Sequence, residues 1–367
     1  MLCLSPGRGG LELYAQRSTE IIKELGHNSV TVCSSESTLF QINSESVTDK
    51  FYTLKLRFHL LPLLAAYRLA RIIDSNEIDI INIHWSRDFN VAVFAKLLCS
   101  REVKLIYTRH MAITRYKNDL YHNFLYHHVD CFVVITKQLK AEALKFLPLA
   151  ESKIKLLYHG VKLAASDSSM ISCDNFKITS ASQNYLNLAI FSRIEQGKGQ
   201  HLLVEAVKEL RIKNKEIHVT IVGHVMNEAY NDKLRKSIDS YQLETQFHFY
   251  QFIDQASLYM RCFDVIALTT SAETFGLVLI EAMQSGVAVI GSNAGGVPEI
   301  IENDVTGLLF ESGSATDLAD KIEKLYDDAS FRIRLAVNGK KTVTELFSEE
   351  QHKRKLNDIF INVTNQN

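Results

Sequence analysis

The chain has 367 residues, of which 46% are hydrophobic and 23% charged, and a formal net charge of −1. This is a globular composition, long enough for about two domains, and it excludes a disordered or fibrous chain. No stretch reaches about 18 uninterrupted apolar residues, so no membrane span is expected, and the opening MLCLSPGRGG has neither the basic region nor the apolar run of a signal peptide.

The charge is unevenly placed. Met1 to Lys162 holds 21 Lys and Arg against 15 Asp and Glu, whereas the remainder holds 20 against 27. A basic half and an acidic half suggest two domains with different partners. The basic excess is modest and no DNA or RNA motif accompanies it, so nucleic acid is not an expected partner. Six scattered cysteines without a C-x-x-C read as reduced, mostly buried thiols, which points to a cytoplasmic location.

Short β-branched runs alternate with helical patterns along the chain. SVTVCS, DIINIHW, VKLIYTRH, DCFVVIT and IKLLYHG read as strands of the first half. The helical segment LELYAQRSTEIIKELG precedes the first of them, with Gly26 as its C-cap. The segment KFYTLKLRFHLLPLLAAYRLARII carries Lys50, Lys55, Arg57, Arg68 and Arg71 among large apolar residues. It reads either as a membrane-surface helix or as a core helix with snorkelling basic ends, interrupted at Pro62. The Ser- and Asn-rich stretch from Ala164 to Asn184 reads as a break. Beyond it, NLAIFSR, IHVTIVG, FHFYQF, FDVIALTT, VAVIGSN and GLLF read as a second set of strands, with GQHLLVEAVKELRIKN as a helix between the first two. Continuous apolar strands separated by helices mean parallel sheets covered on both faces. The expected architecture is α/β, with two doubly wound, Rossmann-like domains facing across a cleft. The expected boundaries are 1–165 for a first domain, 166–185 for a linker and 186–347 for a second domain, with a C-terminal helix over 348–364 packing back on the first domain.

Ligands of doubly wound sheets bind beyond the carboxyl ends of the strands, and the informative residues follow the strands. Gly7, Gly9 and Gly10 precede the first helix and read either as a phosphate-approaching loop or as a structural turn. Arg193 and Lys198 flank a glycine turn after NLAIF, where two cations suit a diphosphate. In SAETFGLVLIEAMQSG, Phe275, Gly276 and Leu277 stand at a helix start, with Glu273 before it and Glu281 in its second turn. From Leu277 to Met283 every residue except Glu281 is apolar, so the helix reads as buried and Glu281 as a carboxylate in need of a partner.

These residues carry a resemblance. FSRIEQGKG, the E-x7-E pair Glu273 and Glu281, the turn GGVPE and then NDVTGLLF occur in order. The second half thereby resembles the large GT-B family of retaining, nucleotide-sugar-dependent glycosyltransferases often called family 4. INIHW, YTRHM and YHGVKL match the first half more loosely. The resemblance implies a nucleotide diphosphate-sugar as substrate rather than a bound cofactor. Glu273 would hold donor-sugar hydroxyls and Glu281 the ribose, while Arg193 and Lys198 would neutralise the departing diphosphate. The Gly9–Gly10 loop would lie against the phosphates or the reacting sugar, and His110 would stand near the reaction centre. His84 is a further candidate on the acceptor side.

No D-x-D occurs in the chain, a pattern that divalent-metal sites for nucleotide-sugar phosphates typically use, so no metal is expected. The implied reaction retains the anomeric configuration, with the leaving phosphate helping to deprotonate the acceptor hydroxyl. A glycan or lipid-linked acceptor of the bacterial envelope fits the basic first half, as does peripheral contact with anionic membrane on its cytoplasmic face. A nucleotide-sugar 2-epimerase on the same fold and a non-catalytic nucleotide-sugar-binding subunit are the competing readings.

Overall fold

The computed structural model describes residues 1–7, 10–37, 39–40, 50–55, 62–162, 172–176 and 184–365. It divides into two compact units, one of Met1–Tyr158 with His352–Asn367 and the other of His159–Gln351.

The first unit contains β1 (Leu2–Cys3), α1 (Gly10–Glu24), β2 (Val30–Cys33), β3 (Lys50–Thr53), α2 (Leu63–Ser75), β4 (Ile80–Ile83), α3 (Phe89–Leu98), β5 (Lys104–Arg109), α4 (Leu120–His127), β6 (Cys131–Val134), α5 (Lys137–Phe146) and β7 (Ile154–Leu156). Its seven strands run parallel in the order β3-β2-β1-β4-β5-β6-β7. Strands β2, β4 and β6 are buried on both faces almost throughout, as their largely apolar sequences require. Local capping sets the helix starts: Asp119 accepts from the amide of His122 at 3.1 Å, and Thr136 accepts from that of Leu139 at 3.1 Å.

The second unit contains β8 (Leu186–Phe191), α6 (Gln200–Ile212), β9 (Ile217–Val222), α7 (Glu228–Ser240), β10 (Phe247–Tyr250), β11 (Val265–Leu268), α8 (Leu277–Gln284), β12 (Ala288–Ser292), β13 (Leu308–Phe310), α9 (Ala315–Asp327) and α10 (Ala329–Leu346). Its six parallel strands follow the order β10-β9-β8-β11-β12-β13. Leu188, Ile190, Val219, Ile221 and Ile290 meet Leu203, Val207, Leu234, Ile322 and Leu335 in one core. The last helix, α11 (Glu349–Thr364), lays Leu356, Ile359, Phe360 and Val363 against Ile21, Ile22, Ile106 and Cys131 of the first unit.

Both sheets are doubly wound, and each has one topological switch point, between β1 and β4 and between β8 and β11. Ligand crevices of such sheets open there, because the loops leaving the two strands diverge to opposite faces.

Two expectations need correction. The segment from Lys50 is not helical at its start: Lys50–Thr53 pairs with β2 as an edge strand, and the helix begins only after Pro62, at Leu63. Alternation of large side chains suits an edge strand as well as a helix face, and pairing with a distant strand decided between them. Arg57, Gly9 and most of the linker fall outside the described residues. The cysteines are also not all reduced. Cys173 and Cys262 form a disulfide with Cα atoms 5.5 Å apart. Phe176 docks against Tyr250, Phe263 and Tyr259, with ring centroids 5.0, 5.3 and 5.7 Å away, and so carries Cys173 to its partner. A pairing across 89 residues leaves no local spacing signal. Cys3, Cys33 and Cys131 are free and buried, and Cys99 is free and half-buried.

Candidate functional site

At the switch point of the second unit, three loops are tied together. Gly199, which follows Lys198, has φ +72°, and a Cβ there would lie 2.3 Å from the carbonyl oxygen of Thr269. Only glycine lets the loop after β8 approach the loop after β11 this closely. Thr269 Oγ1 donates to the carbonyl of Lys198 at 2.7 Å, and Thr270 Oγ1 donates to that of Gly197 at 2.9 Å. The third loop, after β12, joins through Gly296, whose amide donates to the carbonyl of Glu273 at 3.0 Å, and through Ser292, whose hydroxyl donates to the carbonyl of Thr270.

This scaffold fixes the charged groups. Lys198 Nζ stands 3.4 Å from Glu273 Oε2, with both side chains 22% exposed. Arg193 lies differently. Its guanidinium pairs with Glu195 at 2.9 Å and is 58% exposed. The two cations expected to act together therefore sit in unlike settings, one anchored and sheltered, the other solvated.

Gly276 precedes α8, whose start carries no side-chain cap. The first amides of an uncapped helix, with the positive end of its dipole, suit an anion. Phe275 is buried, with its ring edge-on to His159 at 5.1 Å and to Phe347 at 6.0 Å. It anchors the helix start by packing.

The helix is not buried all round. Leu279, Ile280, Ala282 and Met283 are buried, whereas Leu277, Val278, Glu281 and Gln284 form a half-open stripe. The apolar residues at Leu277 and Val278 concealed this stripe in the sequence. Glu281 makes no ion pair and no side-chain hydrogen bond to a described residue, and burial pushes its carboxyl up to about 7. A half-buried carboxylate left in this state is poised for a ligand that brings its own donors.

At the switch point of the first unit, His84 directly follows β4 and His110 directly follows β5. Both imidazoles are buried, and His84 Nδ1 lies 3.0 Å from His110 Nε2. One of these nitrogens donates and the other accepts, so the pair shares a single hydrogen between them. Burial, then the neighbouring His84 and Arg109, holds His110 well below the usual histidine range, and it stays neutral. Tyr14 of α1 sets its ring edge-on to both, 5.4 Å from His84 and 4.9 Å from His110.

Gly10 opens α1, and a Cβ there would meet no described atom within 4 Å. Glu12 stands in the first turn, 6% exposed and hydrogen-bonded to Ser5 Oγ. Asp88, which sequence reading passed over, is fully buried and accepts from the amide of Leu4 at 2.9 Å. Burial pushes its carboxyl up to about 8, so at neutral pH it is largely protonated and ties the end of β1 to the loop after β4. Only the adjacency of β1 and β4 makes sense of this residue.

The family described as Glycosyltransferase Family 4 matches residues 8–165, and the family described as Glycosyl transferases group 1 matches residues 174–342. An uncharacterized glycosyltransferase of Methanocaldococcus jannaschii is 25% identical over 235 residues, 62% of this chain and 59% of that protein. A capsular polysaccharide biosynthesis glycosyltransferase of Staphylococcus aureus is 29% identical over 226 residues, 59% of this chain and 58% of that protein. The chain thus spans less than two thirds of either relative. In fold, a crystal structure of Anabaena HepE in complex with UDP superposes with a TM-score of 0.83 at 19% identity, covering 98% of each chain. Two parallel, doubly wound sheets of this kind and two matches that together run from residue 8 to residue 342 lead to one conclusion: the chain belongs to the group 1 glycosyltransferases of GT-B fold.

Proposed function

We propose that the chain transfers a sugar from a nucleotide diphosphate-sugar to a hydroxyl of a glycan or lipid-linked acceptor in cell-envelope polysaccharide or lipopolysaccharide synthesis, with retention and without a metal. The observation that carries this reading is the second unit's switch point. There an anchored Lys198, a paired Glu273, an uncapped helix start at Gly276 and a Glu281 whose side chain has no partner among the described residues lie along one loop system. Lys198 and the amides following Gly276 offset the charge that builds on the diphosphate as its bond to the anomeric carbon breaks. Glu273 accepts from sugar hydroxyls and Glu281 from the ribose. The acceptor oxygen bonds to the anomeric carbon on the face the diphosphate leaves, and its proton passes to the departing phosphate oxygen. His110, neutral and hydrogen-bonded to His84, serves as a hydrogen-bonding group near the sugar. Glu12 stands in the first turn of α1, where its carboxyl can accept from a hydroxyl, so a sugar suits the Gly9–Gly10 loop better than a phosphate. A UDP-bound structural neighbour and a capsular polysaccharide relative support the donor class and the setting.

Thermal shift with a panel of nucleoside diphosphates tests this directly. Glu281→Ala is expected to weaken binding about tenfold or more, the worth of a hydrogen bond to a charged group. Glu281 is protonated below about pH 7 and ionised above it, and the carboxylate is the stronger acceptor. Affinity should therefore rise between pH 6 and pH 8, and Glu281→Gln should remove the part of the rise that the diphosphate's own ionisation does not explain. Binding unaltered in both variants would remove Glu281 from the site. Formation of an epimer from nucleotide-sugar alone would overturn the transferase reading. Transfer should persist in excess chelator, since no D-x-D is present to hold a divalent ion. Loss with chelator and rescue by magnesium or manganese would refute metal independence.

The acceptor side has an exposed feature that fits a peripheral membrane contact. Leu63, Leu64 and Tyr67 on α2 are 56%, 63% and 54% exposed, with Arg68 and Arg71 exposed beside them. No helix of the described residues is long and apolar enough to cross a membrane. Sedimentation with anionic liposomes at low salt, released by a few hundred millimolar salt, is the expected behaviour. Neutralising Lys50, Lys55, Arg68 and Arg71 together should abolish it while nucleotide binding persists. No sedimentation at any salt would make these charges simple surface solvation.

A further inference from the structure

The segment that returns to the first unit begins at His352, on α11, and His352 is 3% exposed. Its Nδ1 lies 2.7 Å from the carbonyl oxygen of Tyr158, the last residue before the chain leaves that unit. A carbonyl oxygen only accepts, so Nδ1 carries the hydrogen. In the neutral ring this leaves Nε2 as an acceptor, and Nε2 lies 3.2 Å from the hydroxyl of Tyr14. Burial pushes the Tyr14 phenol far above its ordinary range, so it keeps its hydrogen and donates. The three rings stand edge-on: His352 is 5.7 Å from Tyr14, and Tyr14 is 4.9 Å from His110. The seam that holds them is independently secured. Ile21 and Ile22 of α1 pack on Leu356, Ile359 and Phe360 of α11, Lys353 reaches Glu24 at 2.5 Å, and His27 reaches Asn357 at 3.1 Å.

We propose that Tyr14 and His352 are positioning residues for the His84–His110 pair, with His352 fixing the Tyr14 hydroxyl so that the phenol ring holds the two imidazoles in one orientation. The inference rests on the reading of His110 as a group near the transferred sugar. It assigns the C-terminal helix a part in a reaction centre built from residues more than 240 positions earlier in the chain. Alignment is the quantity at stake, and a small misplacement of a positioned group is enough to lower a rate substantially.

Three substitutions separate the parts. Tyr14→Phe keeps the ring and removes the donor. His352→Asn keeps a donor toward Tyr158 and is too short for Tyr14. His352→Gln keeps the reach to Tyr14. Tyr14→Phe and His352→Asn are each expected to lower kcat about tenfold with the donor KM unchanged, His352→Gln to retain most of the rate, and the double variant to be no slower than the worse single one, because both cut one tether. Imidazole nitrogen NMR of the unliganded protein supplies a readout independent of activity, in which the His84 and His110 resonances should move in both single variants. Unmoved resonances, an unchanged kcat or multiplying losses in the double variant would each overturn the proposal. If His352→Asn does not fold, Tyr14→Phe decides alone. If the wild type transfers no sugar, the functional reading fails, and the resonances still decide whether the tether orients the pair.

Discussion

Replacing Lys198 with Ala should lower kcat roughly ten- to a hundredfold, the worth of one charge-assisted contact of about 1.5–3 kcal/mol, while the donor KM changes less. The asymmetry follows from when the charge develops. The diphosphate is more negative as it departs than while it is bound, so an opposing cation stabilises the transition state more than the ground state. In the proposed reaction Lys198 would meet this charge with its backbone carbonyl already held by Thr269 and its ammonium beside Glu273. Holding the cation in advance avoids reorganisation during the reaction. Arg193→Ala should have a smaller effect, because its exposed guanidinium already engages Glu195 and stays well solvated. Steady-state kinetics on the two variants checks the ranking. Equal losses would mean that Arg193 turns to the diphosphate when substrate arrives, and an undiminished rate in Lys198→Ala would take the lysine out of the chemistry.

Gly295→Ala should be the most damaging single methyl group in the second unit. Gly295 has φ +61°, and a Cβ there would lie 1.8 Å from the carbonyl oxygen of Glu273. That atom cannot rotate away, since the same carbonyl accepts from the amide of Gly296. The loop bearing Glu273 must shift, and with it the carboxylate and its contact to Lys198. The expected destabilisation is roughly 3 kcal/mol or more, the range of strain at a constrained backbone site, accompanied by loss of nucleotide binding. Gly313→Ala is the matched control. It also has positive φ, +86°, with nothing within 4 Å of the new carbon, so it pays only the dihedral cost of about 1–2 kcal/mol. Denaturant unfolding and nucleoside diphosphate titration on both variants separate collision from dihedral strain. Similar losses in the two would show that the close approach to Glu273 has no special importance.

What the sequence determined by itself was the material written in local periods. Unbroken β-branched runs and the helices between them gave two parallel sheets, because a strand buried on both faces must be apolar throughout. Residues just past the strands gave Lys198, Glu273 and Glu281 as candidates, because loops leaving a doubly wound sheet are where backbone and charge stay accessible, and the family resemblance added His110. Glu281 was conspicuous as one carboxylate among apolar residues. The tertiary structure decided everything that depends on what a segment packs against. It made an edge strand of Lys50–Thr53, and it turned a helix that read as buried all round into one with a half-open stripe at Leu277, Val278, Glu281 and Gln284. It also gave Arg193 and Lys198 different partners, paired Cys173 with Cys262 and set His352 against Tyr14 across 338 positions. None of these contacts has a period or a spacing to betray it. Each arises where separate elements dock, and docking is specified by the summed shape and burial of many side chains rather than by any short run of them.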